Sequence, residues 1–187
     1  MFRKNGSDIQ MLIYINMKVI VFIAALTISL VVAAQSSPEE NLSKLGIKLP
    51  ASSKPIANYV KWNRVGNVVY TAGHGPSNAD GTPMKGRLGQ TMTVEQGYEA
   101  ARNTGIQLLA TLEDAIGDLN KVKRIVKVLG LVNCTADFER QPEVMNGFSD
   151  LMVQVFGEKG KHARSAVGTN SLPRGIPVEI EMIVEVE

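Results

Sequence analysis

The sequence predicts an α+β domain, a mixed β-sheet with two helices packed on one face. Three observations carry this. In the last ten residues Val178, Ile180, Met182, Val184 and Val186 share one face, while Glu179, Glu181, Glu185 and Glu187 share the other with Ile183, the period-two pattern of a half-buried strand. Two earlier stretches, one opening at Thr93 and one centred on Phe148, repeat apolar residues at helical spacing. Between them KRIVKVLGLVNC (123–134) is rich in Val, Ile and Leu with no helical stripe, as a strand inside a sheet requires. A length of 187 residues with 44% hydrophobic and 20% charged side chains is that of one ordinary globular domain.

From the N-terminus, Val19 to Ala34 is an almost unbroken apolar run behind Lys18 that closes on Ala33 and Ala34. That is the shape of a secretion signal, so residues 1–34 are expected to be cleaved and the protein exported, to a periplasm or beyond. Met17 is a natural start for such a signal. A retained anchor from Met11 to Ala34 is the alternative, and would make a membrane the partner of an uncleaved chain. Residues 35–54, rich in Ser, Pro and charge, read as a leader or linker with a short helix around Glu39 to Leu45. The domain proper is expected at 55–187.

Within it, YVKWNRVGNVVYTAG (59–73) holds two runs rich in Val and Tyr around Gly66 and Asn67, a hairpin signal. Gly73 to Gly89 carries five glycines and the Asp80-Gly81 turn, hence a loop. It lacks the lysine and hydroxyl that a phosphate-binding loop places before its helix. Thr93 and Gln96 have capping-box spacing, and Val94, Tyr98, Ala101, Gly105, Leu108 and Leu112 continue as one helix face towards Gly117. A second helix carries Val144, Phe148, Leu151 and Val155 and stops at Gly157. ARSAVG (163–168) and VEIEMIVEVE (178–187) then read as two strands joined through SLPRGIP.

Composition excludes several chemistries. With Arg3, Lys4, Lys18 and Asp8 set aside with the signal, basic and acidic residues balance, so no global field draws nucleic acid. Cys134 is the single cysteine, which rules out an intrachain disulfide and a CxxC motif. His74 and His162 have no metal-ligand spacing; no metal is expected. There is no GxSxG nucleophile motif, and Trp62, Tyr59 and Tyr70 read as hairpin packing, without the basic residues of a base-stacking platform.

Two residues retain chemical interest. Arg164 sits in a short strand between small apolar neighbours, where a guanidinium needs an anion, and a bound carboxylate would satisfy it bidentately. An exposed edge-strand arginine, or an ion pair with a glutamate of the last strand, is the alternative, and from sequence alone the stronger reading. Glu179, 15 positions on, would approach Arg164 if the two strands formed a hairpin, and could position a water; a solvated or subunit-contact glutamate is the simpler alternative.

ARSAVG, then LP at 172–173 and VEIEMI at 178–183, resemble the RidA/YjgF family of imine and enamine deaminases, also called L-PSP endoribonucleases. IANYVKWNRVGNVVYTAGHGP (56–76) resembles that family's opening hairpin, and the likeness spans about 55–187. The resemblance implies a chorismate-mutase-like fold assembled as a homotrimer, with sites in the clefts between subunits. It implies that Arg164 binds a substrate carboxylate, that Glu179 helps hold the attacking water, and that Tyr59, Gly73 and His74 line the pocket. The reaction implied is hydrolysis of a small 2-imino acid or its enamine to the 2-oxoacid and ammonia, without metal or cofactor; a non-catalytic trimer that captures a small carboxylate metabolite is the alternative. The chain departs from the family with AGH at 72–74 in place of SGQ, Ala166 in place of a frequent cysteine, and Met145 at the position of a pocket asparagine.

Overall fold

Gly66 adopts a left-handed backbone (φ 57°) that closes the tight turn between β1 (Trp62–Val65) and β2 (Val68–Thr71). The computed structural model describes residues 36–52, 57–78 and 80–187. Two further strands, β3 (Val122–Asn133) and β4 (Ala163–Thr169), flank the second long helix, and β5 (Val178–Val186) ends the chain. The sheet runs β1-β2-β5-β3-β4, and only β3 with β4 is parallel. The proposed secretion signal lies outside the described residues; within them no helix is long and apolar enough to cross a membrane.

Before the sheet comes α1 (Pro38–Lys44), capped by the Ser37 hydroxyl, which accepts from the Glu40 N–H at 3.1 Å. It is no loose leader. Leu42 is buried, Leu45, Ile47 and Leu49 pack against the core, and the Asn41 amide donates to the Val155 carbonyl at 2.9 Å. The expectation that 35–54 is a leader ahead of a domain at 55–187 is therefore corrected for 36–49, which packs into the folded unit because its leucines find apolar surface that the long helices leave open.

The two long helices form one layer. In α2 (Val94–Ile116) the Thr93 hydroxyl accepts from the Gln96 N–H while Gln96 Oε1 accepts from the Thr93 N–H, and Gly117 ends the helix at φ 74°. α3 (Gln141–Phe156) runs beside it. They approach so closely that a β-carbon on Gly147 would collide with the Tyr98 carbonyl, and one on Gly105 would meet Leu151 at 2.9 Å. Leu108, Leu112, Val144, Phe148 and Leu151 face Val69, Ile125, Val128, Ile180, Met182 and Val184 of the sheet, all fully buried. Fully burying each such side chain contributes about 2 kcal/mol before entropy is counted.

Two details position the site. β4 and β5 do not form a hairpin: β3 lies between them, because the chain from β3 through α3 returns parallel to its own start, and the 170–177 connection must then cross the end of β3. Asn133 secures that crossing, its N–H donating to the Pro177 carbonyl and its amide to Ile176 and Gly86. On the other flank the β2–β5 ladder slips by one residue: the Thr71 hydroxyl bonds the Met182 N–H and carbonyl, and His74 then pairs with Ile180 through both backbone groups. The slip lays residues 72–74 along β5.

Candidate functional site

Glu179 faces away from the helices, between the buried Val178 and Ile180. The slipped backbone passes directly beside it. A β-carbon on Gly73 would collide with the Glu179 carboxylate and lie 2.9 Å from its Cδ, so this position admits a side chain only if the carboxylate moves. Gly73 and Glu179 form the floor of an open cavity of about 440 Å³, with Tyr59 at its rim and Ser77, Ile176 and Arg174 around it. Partial burial raises the Glu179 carboxyl above its ordinary value, and the neighbouring Glu181 charge raises it further. A carboxyl in this state exchanges protons with a bound water more readily than a solvated glutamate would.

Arg174 was not singled out in the sequence. It lies in the short 3₁₀ turn Pro173–Gly175 with φ 59° and ψ 13°, the only non-glycine residue at positive φ among those described. A left-handed arginine costs on the order of 1 kcal/mol. Its side chain lines the cavity, placing a cation from the same chain beside Glu179. The signal available beforehand was its place in LPRG, immediately before a glycine in a short connection.

Three expected site residues, Tyr59, Gly73 and Glu179, thus come together; the other two do not join them within this chain. His74 is 5% exposed and its ring turns to the helix layer. Nδ1 is 2.8 Å from the Ala72 carbonyl, which only accepts, so Nδ1 carries the proton and Nε2 accepts from the Thr111 hydroxyl at 2.9 Å. Burial lowers its pKa to about 4, against an opposing contribution from the Ala72 hydrogen bond. His74 is a neutral structural link between the slipped strand and α2, and does not line the cavity.

Arg164 lies opposite Val128, itself opposite Met182, on the helix-facing side of the sheet. Glu179 pairs with Leu131 on the other side. The two are separated by a strand, by register and by face, so the spacing of 15 residues does not make them neighbours. Arg164 bonds α3 instead: Nη1 to Ser149 Oγ at 2.9 Å and Asn146 Oδ1 at 3.1 Å, Nη2 to the Pro142 carbonyl at 3.3 Å. Met145 is fully buried against Gly130, but the asparagine missing at its position is present one residue later and reaches the arginine. Pro142, Asn146 and Ser149 follow i, i+4, i+7, a helix stripe that apolar pattern-reading passes over. Among the described residues no cluster of side chains could hold a metal ion.

The comparisons agree with this architecture. The model of the YjgF/chorismate mutase-like family matches residues 39–182. Protein TCP17 of Trypanosoma cruzi is 44% identical over 155 residues, covering 82% of this chain and 97% of its own, and a RutC family protein of Pyrococcus abyssi is 32% identical over 130 residues, covering 70% and 87%. Among solved structures, an Agrobacterium tumefaciens protein of unknown function shares 38% identity at a TM-score of 0.74, covering 80% of this chain and 94% of its own. RidA from a Psychrobacter species, at 24% identity and a TM-score of 0.52 over 74% and 96%, shares the fold. The family match across most of the chain, on a sheet and helix layer of the kind the resemblance implies, identifies the protein as a member of the RidA/YjgF family.

Proposed function

We propose that this protein hydrolyses small 2-imino acids, or their enamine tautomers, to 2-oxoacids and ammonia, in sites completed between subunits of a homotrimer. The observation that carries the reading is the cavity on Glu179: a half-buried carboxyl with a raised pKa, seated against a glycine whose missing side chain leaves it room, and with Arg174 at the cavity edge. The Glu179 carboxylate takes a proton from water as the water oxygen bonds to the C=N carbon, and the imine nitrogen is protonated. The amine of the carbinolamine then takes the proton held by Glu179, the C–N bond breaks to release ammonia, and the hydroxyl proton goes to solvent as C=O forms, replacing the one the imine nitrogen took up. A substrate carboxylate needs a cation beside this cavity. Arg164 of an adjacent subunit supplies it in this reading, because its own fold keeps it from its own Glu179.

An apolar outer sheet face supports assembly: Leu129, Leu131 and Ile183 are half-buried while Tyr70 and Val167 are exposed, with no layer of the described residues above them. Export through the N-terminal segment belongs to the same proposal. The test is ammonia release from freshly generated imino acids. Wild type should exceed buffer, and Arg164→Ala and Glu179→Gln should fall to the buffer rate; equality of wild type with buffer sinks the enzymatic reading.

The second reading, a non-catalytic module that captures a small carboxylate, gains from His74 being turned away, which leaves the cavity without the polar group that the family's glutamine supplies. Arg164-dependent thermal stabilisation by a 2-oxoacid without turnover would select it. Ribonuclease action has less support, since both histidines are tied to neighbouring hydroxyls and carbonyls and neither lines the cavity.

A further inference from the structure

Arg164 is held by one end of a directional chain of hydrogen bonds. Ser149 Oγ, 2.9 Å from Arg164 Nη1, is 3.1 Å from His162 Nε2, and His162 Nδ1 is 2.7 Å from the Gly160 carbonyl. A carbonyl only accepts, so Nδ1 carries the proton and Nε2 of the neutral ring accepts from the serine O–H. That fixes the hydroxyl with its lone pairs towards the guanidinium. The Phe148 and His162 rings meet edge to face with centroids 5.8 Å apart. All three acceptors on Arg164 are neutral, so its charge remains available to an anion.

We propose that Ser149 and His162 are positioning residues for Arg164, and that they couple capture of a carboxylate at Arg164 to uptake of a proton by His162. The proposal deepens the preceding one and rests on Arg164 being the carboxylate anchor. Protonation of His162 would make Nε2 a donor, turn the serine O–H away, and set an imidazolium and a guanidinium on one hydroxyl oxygen. A carboxylate on Arg164 cancels one of those charges. Burial already holds the His162 pKa below its usual value, and the Arg164 charge adds to that, partly opposed by the Gly160 hydrogen bond. The sign follows: a bound anion raises the His162 pKa, so by reciprocity the anion binds more tightly as pH falls through the His162 titration.

The other charged groups nearby do not reverse this. Asp150 on α3 acts on Arg164 and accepts from the Tyr98 hydroxyl. Lys161 pairs with Glu158, and Lys159 donates to the Val122 carbonyl. On β3, Val128 lies beside Arg164, while Lys127 bonds Ser165 on the opposite face.

Two measurements on the full chain test it. In the free protein, ¹⁵N-edited NMR of His162 should show the Nδ1–H tautomer, with the ring titrating higher in Arg164→Ala than in wild type; an Nε2–H tautomer or an unmoved titration overturns the proposal without any ligand. In calorimetry with 2-oxobutyrate in two buffers of different ionisation enthalpy, wild type should take up protons on binding and bind more tightly at low pH. His162→Gln should bind without proton uptake, Ser149→Ala should bind about tenfold more weakly, and Ser149→Thr should restore affinity. Proton uptake that persists in His162→Gln overturns this coupling while leaving the anchor role of Arg164 intact. If 2-oxobutyrate binds equally well to Arg164→Ala, the anchor role fails and the coupling with it.

Discussion

The Glu179 carboxylate occupies the space that a side chain on residue 73 would fill, so Gly73 and Glu179 form one unit. Gly73→Ala should therefore displace the carboxylate. The fold should tolerate this, since the group to be moved is the end of a side chain at an open cavity, and Tm should change little. Turnover should fall by about a hundredfold, the scale set by misplacing a reacting group by about 1 Å. Steady-state deaminase kinetics beside a thermal melt check both halves; an unchanged kcat removes Glu179 from the chemistry.

Glu181 offers a finer probe. Burial first, and the Glu181 charge second, raise the Glu179 carboxyl above the ordinary 4.5. If the ionised carboxylate activates water, the rate should climb as pH rises through that elevated value. Glu181→Gln removes the like charge and should move the rising limb to lower pH, with the plateau unchanged. A pH–rate profile measured on both proteins decides it.

Separation of Arg164 from Glu179 within the chain makes a complementation test of the proposed assembly possible. Arg164→Ala and Glu179→Gln should each be inactive as homotrimers. Unfolded together and refolded as mixed trimers, they should regain activity at about one site in four if, as proposed, each site takes its arginine and glutamate from different chains. A site built within one subunit would regain none. Arg174→Ala, assayed alongside, should raise KM more than it lowers kcat if that side chain guides the carboxylate at the cavity edge.

Buried His74 sets an acid limit on stability. Its folded pKa of about 4 lies below the ordinary 6.5, so between these values the unfolded chain binds a proton that the folded chain refuses. Stability is unaffected by this group above pH 6.5 and declines as pH falls towards 4, by about 3 kcal/mol over the window. Urea unfolding at pH 7 and pH 4.5 should show the loss, and His74→Gln should flatten that dependence even where it lowers stability at pH 7.

How much of this was legible beforehand follows from which interactions are local. The capping box at Thr93, the glycine stops at 117 and 157, the Gly66 turn and the alternation of β5 depend on residues within a few positions of one another, and each appears where its pattern placed it. Glu179 was also placed on its correct face, since alternation alone determines that. The leader helix was seen, but its docking through Leu42 was not, because amphipathic spacing over seven residues does not say which surface will receive it.

Arg164 shows the other side of the division. Sequence determined that it stands in a strand 15 residues before Glu179, and the family motif gave both a role. Only the tertiary structure decided that β3 inserts between their strands, that the arginine turns to the Pro142–Asn146–Ser149 stripe of α3, and that His162 lies behind that serine. Strand order is set by how the β3–α3–β4 crossover packs its helix against the sheet, a long-range matter of burial that leaves no mark in the spacing of two residues. The same holds for His74, whose outward or inward turn depends on a one-residue slip in a ladder formed with a strand more than a hundred residues away.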